Sequence, residues 1–252
     1  ANIVDVYYII RSAAIHDDNP EIVRAKELGI PVFERAQGWG AVMKQYRSAV
    51  CVAGTHGKTS TTSMLTHIAL AGETDPTVMI GGDLPILGSG HRVGQSKEVI
   101  LLESCEYCNS FLHFFPTVAV ILNVEADHLD FFKDLDDVKH SFREFALRTP
   151  ENEGIVVANA DDFDTMDCLK DLPRKMITFG VEKEATYRGV NVSYHQGTTA
   201  FDVEKNGEFF LHVQLLVPGK HNLLNALASI AAADCIGVST QAIANGLVSY
   251  GG

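Results

Sequence analysis

A seven-residue segment, residues 54–60 (Gly-Thr-His-Gly-Lys-Thr-Ser), constrains the fold of this chain more than any other feature. The apolar run at residues 49–53 predicts a buried strand before it, and the pattern at residues 59–71 predicts a helix after it. Backbone N–H groups and the positive end of a helix can surround phosphate oxygens in such a strand, glycine turn and helix. We therefore predict a phosphate-binding loop, in which Lys58 neutralises phosphate charge and the Thr59 hydroxyl coordinates Mg²⁺.

The segment departs from the strict pattern G-x-x-x-x-G-K-[ST], which would need glycine at position 52. Val52 occupies that position, so Gly54 is expected to make the turn in a shortened variant of the loop. The alternative is an ordinary strand-to-helix connection, in which the glycines serve the turn and Lys58 is solvated. The flanking strand and helix favour the phosphate loop over this alternative.

Short apolar runs alternate with helical patterns along most of the chain, which predicts an α/β fold with a mostly parallel sheet and helices on both faces. An antiparallel ribbon should join this sheet, because Asn206-Gly207 between two strand patterns is a strong hairpin signal. The predicted strands are residues 4–10, 49–53, 77–80, 99–102, 117–123, 155–158, 199–205 and 208–217. The predicted helices are residues 20–29, 36–46, 59–71, 136–148, 162–170, 219–237 and 240–249.

The first 47 residues predict only one strand and two helices, too little for an independent α/β domain. We interpret residues 1–47 as the C-terminal part of one domain and residues 48–252 as a second domain. The hydrophobic content of 46% is sufficient for a large core in the second domain.

Charge and cysteine content narrow the class of protein. The formal net charge of −12 argues against a nucleic-acid partner, because phosphate backbones are bound through clustered Lys and Arg. The apolar runs are too short and too often interrupted by polar residues to predict a membrane segment. Five thinly spread cysteines, an odd number, without a leader pattern predict a reduced protein in the cytoplasm.

Four ordered motifs give the chain a resemblance to the Mur ligase family. The segment Gly-Thr-His-Gly-Lys-Thr looks like the ATP loop of the family, and His56 resembles the members that act on UDP-N-acetylmuramate. Residues 12–15 with 19–21, residues 123–130 and residues 219–225 are similar to further family motifs. The resemblance implies that a UDP-binding domain ends at residue 47 and that residues 48–252 form the central ATP-binding domain. The third, C-terminal domain of the family is expected to be absent, so this chain alone is not expected to complete a reaction.

Glu103 is the first candidate for a metal-binding carboxylate. It directly follows the predicted strand at residues 99–102, and ligands bind at the carboxyl ends of strands in open α/β sheets. Mg²⁺ prefers oxygen ligands and needs only one or two carboxylates beside phosphates and water. From the residues alone, a solvated loop acid is the alternative, whereas the resemblance assigns Glu103 to the metal.

The resemblance also implies a role for His128, at a second Mg²⁺ site or near the reacting phosphate, and a catalytic role shared with Lys58. A histidine among acids is otherwise a surface or capping residue. Glu106 is the reserve metal ligand, and Cys105 and Cys108 stand where the family usually has acids. The ligands that the resemblance implies for Mg²⁺ are Thr59, Glu103 and His128.

The start of the predicted helix at residues 219–237 carries the candidates for adenine contact. Asn222 and Asn225 are nearly one turn apart, and an amide offers a donor and an acceptor together. Helix capping is the alternative for Asn222. The full set predicted to bind ATP is Gly54, Thr55, His56, Gly57, Lys58, Thr59, Ser60, His221, Asn222 and Asn225.

The resemblance implies a ligase of peptidoglycan precursor synthesis. In this family the γ-phosphoryl group of ATP passes to a substrate carboxylate, here that of UDP-N-acetylmuramate, and an amine attacks the acyl phosphate to form an amide. L-alanine is the expected amine. A ligase that recycles whole cell-wall peptides shares the histidine-containing loop and stays an alternative. A P-loop kinase or a nucleotide-gated binding module is the alternative from another class.

Overall fold

The computed structural model describes residues 3–12 and 14–252. Ala13, which belongs to the motif at residues 12–15, lies outside the described residues, as do the first two residues of the predicted N-terminal segment. The N-terminal elements are β1 (Ile9–Arg11), α1 (Pro20–Glu27), β2 (Val32–Glu34) and α2 (Arg35–Met43). β1 and β2 form a separate two-stranded parallel sheet. The Asn19 side chain caps α1 by accepting a 2.9 Å hydrogen bond from the N–H of Glu21, as the Asn-Pro pair predicts.

The rest of the chain forms one large sheet and the helices that cover it. Its strands are β3 (Ser48–Ala53), β4 (Thr77–Leu84), β5 (Ser89–Arg92), β6 (Val99–Glu103), β7 (Val118–Ile121), β8 (Ile155–Asn159), β9 (Lys175–Gly180), β10 (Tyr187–His195), β11 (Thr198–Lys205) and β12 (Glu208–Leu215). Its helices are α3 (Lys58–Ala71), a 3-10 helix (Tyr107–His113), α4 (Leu135–Leu147), α5 (Phe163–Cys168), α6 (Lys220–Cys235) and α7 (Thr240–Val248).

The strand order in this sheet is β12-β11-β10-β9-β8-β7-β3-β6-β4-β5. The pairs from β10 to β4 are parallel, whereas β5 pairs antiparallel with β4 at one edge. At the other edge, β10, β11 and β12 form the antiparallel ribbon. The predicted α/β fold with a mostly parallel sheet and an added ribbon is therefore confirmed.

Helices cover both faces of the sheet, as predicted. Alternate side chains of β3 point to opposite faces, because successive side chains of a strand alternate. Val50 and Val52 pack in the core beneath α3, α6 and α7. Ala49, Cys51 and Ala53 pack in a second core with α4, α5 and the 3-10 helix. β3 is therefore buried on both sides, which explains its continuous apolar sequence.

The helices agree well with the sequence-based expectations, and the strands agree less well. Each of the seven predicted helices is present, with ends within three residues of the expected positions. The predicted strand at residues 4–10 is wrong in its bounds, because only Ile9–Arg11 pairs with β2 and Tyr7 is 92% exposed. β5, β9 and β10 were not predicted, since their partly buried residues mix polar and apolar types and lack the continuous apolar pattern of a buried strand.

The hairpin between β11 and β12 turns at Asn206 and Gly207, which both have positive φ, 54° and 82°. This is the backbone geometry that an Asn-Gly pair favours. Among the helices of residues 3–12 and 14–252, none combines the length and the apolar character that crossing a bilayer requires.

Candidate functional site

The loop predicted to bind phosphate follows the carboxyl end of β3, which is an interior strand of the large sheet. β6 and β7 are the parallel neighbours of β3 on its two sides. β3 continues through Ala53, so the chain turns at Gly54, as the shortened pattern predicts. Gly54 has a φ of 150°, and a Cβ there would lie 2.9 Å from the Cβ of Leu122. Only glycine fits this close passage of the loop over the end of β7.

Gly57 ends the loop in a left-handed conformation, with a φ of 86°, and α3 begins at the next residue. A Cβ on Gly57 would lie 2.6 Å from Oδ1 of Asn225. Within the described part of the chain, no side chain caps the start of α3. The first-turn N–H groups of α3 can therefore bind anionic oxygens, and the helix dipole favours such a ligand there.

The Lys58 ammonium lies under this loop and is held by several acceptors. Nζ donates to the carbonyl oxygens of Gly54 at 2.5 Å and Thr55 at 3.1 Å. It also donates to both carboxylate oxygens of Glu106, at 3.0 and 3.2 Å. Glu106 is only 2% exposed. The structure thus brings the predicted phosphate-binding lysine against the predicted reserve metal ligand.

Thr59 and Glu103 lie side by side, because Glu103 ends β6 next to the loop. The Thr59 hydroxyl donates a 3.0 Å hydrogen bond to Oε1 of Glu103. The other oxygen, Oε2, accepts a 2.7 Å hydrogen bond from the N–H of Gly81. The hydroxyl and the carboxylate predicted to bind Mg²⁺ are therefore adjacent, and Gly81 fixes the orientation of the carboxylate.

The donor set fits Mg²⁺, an ion that needs few protein ligands. In the residues that the structure describes, no group of three or more His, Cys, Asp or Glu side chains is placed to hold a metal ion. A hydroxyl with one carboxylate is the small protein contribution that Mg²⁺ needs where phosphates and water complete its octahedron. Cys105 and Cys108, which stand where the family usually has acids, are both free thiols.

His128 lies on the Glu106 side of the site. Its Nε2 is 3.7 Å from Oε1 of Glu106, and its ring centroid is 4.8 Å from that of Tyr107. The backbone of His128 is left-handed, with a φ of 51°, and its N–H donates to the Asp127 carboxylate. The structure therefore places His128 beside the reserve ligand, whereas Thr59 and Glu103 form their own pair. The predicted ligand set of Thr59, Glu103 and His128 stays a prediction.

Asn123 is a site residue that was not selected from the sequence. Its Oδ1 accepts a 2.7 Å hydrogen bond from the N–H of His56, and its Nδ2 donates to the carbonyl of His56 at 3.1 Å. The main-chain oxygen of Asn123 also accepts from the N–H of Thr55. One amide therefore fixes the middle of the loop. The available signal was its position, because Asn123 directly follows a buried strand and opens one of the family-like motifs.

A cavity of about 330 Å³ lies beside the loop, between β7, β8 and the start of α6. Its lining mixes apolar side chains with amide and imidazole groups, which suits a flat heteroaromatic ring. The lining residues are His56, Gly57, Ser60, Leu122, Asn123, Asn159, Phe179, His221, Leu224 and Asn225.

The two asparagines predicted to contact adenine differ in position. Asn225 and His221 line the cavity, and Asn225 is nearly buried. Asn222 is outside the lining, and its Nδ2 donates a 2.8 Å hydrogen bond to the carbonyl of Pro218. This contact is not a helix cap, because a cap accepts from first-turn N–H groups, and in the described structure α6 follows Gly219 without a side-chain cap; the capping alternative for Asn222 is therefore wrong. Phe179 joins the cavity from β9, a strand that was not predicted.

A central parallel strand, a glycine turn and a helix that opens on Lys-Thr, with a carboxylate on the adjacent strand, define a class of protein. The chain is an α/β protein with a phosphate-binding loop at the carboxyl end of its sheet. Residues 52–233 match the family described as the Mur ligase middle domain, and residues 1–47 match the Mur ligase family, catalytic domain. The chain belongs to the Mur ligase family, which confirms the resemblance seen in its motifs.

Curated relatives align with all or nearly all of this chain. The UDP-N-acetylmuramate--L-alanine ligase of Acetivibrio thermocellus is 47% identical over 253 residues, covering 100% of this chain and 54% of the relative. The ligase of the same name from Caldanaerobacter subterraneus is 45% identical over 241 residues, covering 95% of this chain and 52% of the relative. The chain spans about half the length of the curated relatives that it matches.

Solved structures share the fold. The UDP-N-acetylmuramate-alanine ligase of Thermotoga maritima superposes with a TM-score of 0.84 at 32% identity, covering 99% of this chain and 56% of that chain. The UDP-N-acetylmuramate:L-alanyl-gamma-D-glutamyl-meso-diaminopimelate ligase of Neisseria meningitides gives a TM-score of 0.83 at 29% identity, covering 96% and 78%.

Proposed function

We propose that this chain is the ATP-binding part of a ligase that joins L-alanine to the carboxylate of UDP-N-acetylmuramate in peptidoglycan precursor synthesis. The γ-phosphoryl group of ATP passes to the carboxylate, and the amine of L-alanine attacks the acyl phosphate with release of phosphate. In this proposal residues 1–47 belong to the domain that binds the UDP substrate, residues 48–252 bind ATP, and the enzyme works in the cytoplasm.

The adjacency of Thr59 and Glu103, at 3.0 Å beside the start of α3, is the observation that carries the proposal. Phosphoryl transfer needs alignment and cationic stabilisation more than a protein nucleophile. The N–H groups of α3 and the Lys58 ammonium bind and orient the triphosphate. Thr59 and Glu103 would hold Mg²⁺, which would neutralise charge on the phosphate oxygens. We assign His128, whose Nε2 lies 3.7 Å from Oε1 of Glu106, to the acceptor carboxylate.

The adenine ring is assigned to the cavity of about 330 Å³ next to the loop. Asn225 contributes an amide to its lining, His221 an imidazole and Phe179 an apolar surface. Because Oδ1 of Asn225 also lies against Gly57, the same side chain contacts the phosphate loop and faces the base. This arrangement supports ATP as the ligand, since base and phosphates would bind to one continuous surface.

The choice of L-alanine as the amine rests on the relatives. Curated relatives with 40 to 47% identity carry the name UDP-N-acetylmuramate--L-alanine ligase. Two structural neighbours, the Neisseria meningitides ligase named above and a murein peptide ligase of Psychrobacter arcticus, are 29% and 24% identical to this chain. A peptide-joining ligase is therefore the second candidate, because its fold agrees equally well.

Calorimetry tests the ATP site on this chain. Lys58→Ala removes an ammonium expected to make charge-assisted hydrogen bonds to phosphate, so the Kd for Mg²⁺-ATP should rise by at least about tenfold. Lys133→Ala is the matched control, because the Lys133 side chain is 87% exposed and pairs only with the adjacent Asp134 in the described structure. Equal affinities of Lys58→Ala and the unchanged chain would refute the loop assignment.

Phosphate release tests the reaction in a full-length protein that contains this chain. Release should require UDP-N-acetylmuramate and should be faster with L-alanine than with the cell-wall tripeptide. The opposite preference would establish the peptide-joining ligase. Release that depended on neither amine would refute both ligases and favour a kinase or a nucleotide-gated module.

A further inference from the structure

Glu106 is a buried carboxylate between two residues of the site. It is 2% exposed, and both of its oxygens accept hydrogen bonds from Nζ of Lys58. Oε1 of Glu106 also lies 3.7 Å from Nε2 of His128. Lys58 and His128 come from different parts of the chain, and Glu106 is the group that both contact. A carboxylate this far from solvent is stable only when it is paired.

The Lys58 ammonium has no donor left for a phosphate in this arrangement. An ammonium offers three N–H donors. Nζ contacts two loop carbonyls, those of Gly54 and Thr55, and the Glu106 carboxylate. A phosphate oxygen can bind Lys58 only by displacing one of these acceptors. Glu106 is the acceptor that carries a full charge, so it is the competitor that an anionic ligand must overcome.

We propose that Glu106 is a positioning residue that holds Lys58 in the nucleotide-free chain and releases it to the phosphates when ATP binds. The inference rests on the proposed ATP site. The apparent affinity for a ligand is proportional to the fraction of molecules in the binding-competent state, here the state in which Lys58 is free to bind phosphate. The Glu106–Lys58 pair lowers that fraction. After the release, His128 is the neighbouring group that can pair with Glu106. Binding of nucleotide at Lys58 is thereby linked to the contact between Glu106 and His128.

Nucleotide affinity without Mg²⁺ distinguishes this role from metal binding and from a purely structural role. Glu106→Gln keeps the shape and removes the charge, so Lys58 is released at lower cost. The Kd of Glu106→Gln for ATP in EDTA should fall by about tenfold. Glu125→Gln is the control, because it removes a charge beside the same loop, 3.8 Å from His56, without a contact to Lys58. Its Kd should change by less than about threefold, since Glu125 is more than half exposed.

The other outcomes are distinct. An unchanged or raised Kd of Glu106→Gln in EDTA would overturn the release of Lys58 while leaving the ATP site intact. Loss of the affinity that Mg²⁺ adds, with no change in EDTA, would make Glu106 a metal ligand and would overturn the proposal as well. A chain that bound no ATP with or without Mg²⁺ would refute the proposed function, and the positioning role with it.

A stability cycle tests the pair without nucleotide. Lys58→Met leaves the buried Glu106 carboxylate without its partner, so the thermal midpoint should fall by at least about 5 °C. The double variant Lys58→Met/Glu106→Gln should recover most of that loss, and Lys133→Met should leave the midpoint unchanged. A Lys58→Met variant as stable as the unchanged chain would show that the pair does not form, which would overturn the proposal.

Discussion

Thr59 donates a hydrogen bond of 3.0 Å to Glu103, across a sequence separation of 44 residues. The contact exists because β3 and β6 are adjacent parallel strands whose carboxyl ends meet at one edge of the sheet. Val52 and Glu103 are in register, so the carboxylate reaches the first turn of α3. A hydroxyl and a carboxylate that are far apart in the sequence thereby form a pair suited to bind a divalent cation.

The Thr59–Glu103 pair leads to an expectation for Mg²⁺ dependence. Glu103→Gln should bind ATP equally well in Mg²⁺ and in EDTA, because the variant lacks the anionic oxygen that attracts the ion. Glu98→Gln is the control, since Glu98 precedes β6 at the opposite end and its side chain is 61% exposed. Calorimetry with and without Mg²⁺ measures the difference. A Glu103→Gln chain that still gained affinity from Mg²⁺ would contradict the assignment.

Asn123 should stabilise the loop in the absence of any ligand. Asn123→Ala removes two hydrogen bonds to the His56 backbone, so the free energy of unfolding should fall by about 1–2 kcal/mol. Asn245→Ala, on the exposed side of α7, should change it by less than about 0.5 kcal/mol. Urea denaturation measures both values. If the two variants lost equal stability, the hydrogen bonds between the Asn123 side chain and the His56 backbone would not contribute to stability.

Gly57 and Gly207 provide a matched pair of substitution sites with which to test how the backbone of the phosphate loop contributes to ATP binding. Both are left-handed, with φ values of 86° and 82°, but a Cβ on Gly207 would meet no atom within 4 Å. Alanine at either position should cost about 1–2 kcal/mol of stability for the backbone conformation. Only Gly57→Ala should also displace Asn225 and weaken ATP binding, by about tenfold. Comparable ATP affinities for the two variants would contradict the contact between the loop and Asn225.

His67 should make stability depend on pH. Burial lowers the pKa of His67 below its usual value, and Nδ1 lies 2.6 Å from the Ser249 hydroxyl. The unfolded chain therefore takes up a proton at a pH at which the folded chain does not, so stability falls as the pH drops through about 6.5. The urea midpoint should decrease between about pH 7.5 and pH 5.5, and less so in His67→Gln. His195→Gln, at an exposed position, is the control: its urea midpoint should decrease over the same pH range as much as that of the unchanged chain.

The phosphate loop was predictable because its signals are local. A run of apolar residues, two glycines and Lys-Thr within residues 49–60 determine the strand, the turn and the helix start. The position of Glu103 was also predictable, since parallel strands present their carboxyl ends at one edge. Each of these inferences uses neighbours in sequence or a general property of α/β sheets.

Contacts across long sequence separations were not predictable from the pattern. Glu106 meets Lys58 over a separation of 48 residues, and Asn123 meets His56 over 67. Their geometry depends on strand order and on the path of the 3-10 helix, which residue types alone do not determine. Asn222 illustrates the same point, because a spacing of three residues from Asn225 did not bring it to the cavity. Phe179 was not selected because β9 was not predicted. The first residues of β9 are exposed and only its last two are buried, so its sequence does not show a continuous apolar run.

β3 is hydrogen-bonded along both of its edges and buried on both of its faces. Such a strand belongs to the part of a protein that opens last in hydrogen exchange, so it offers a fixed reference frame for the loop above it. Shape changes on ligand binding must then come from less constrained segments. The 3-10 helix, in which Cys108 and Asn109 have left-handed backbones, is the segment next to Glu106 that can supply them. Amide exchange should therefore stay slow in β3 and change around residues 107–113 when ligand is added.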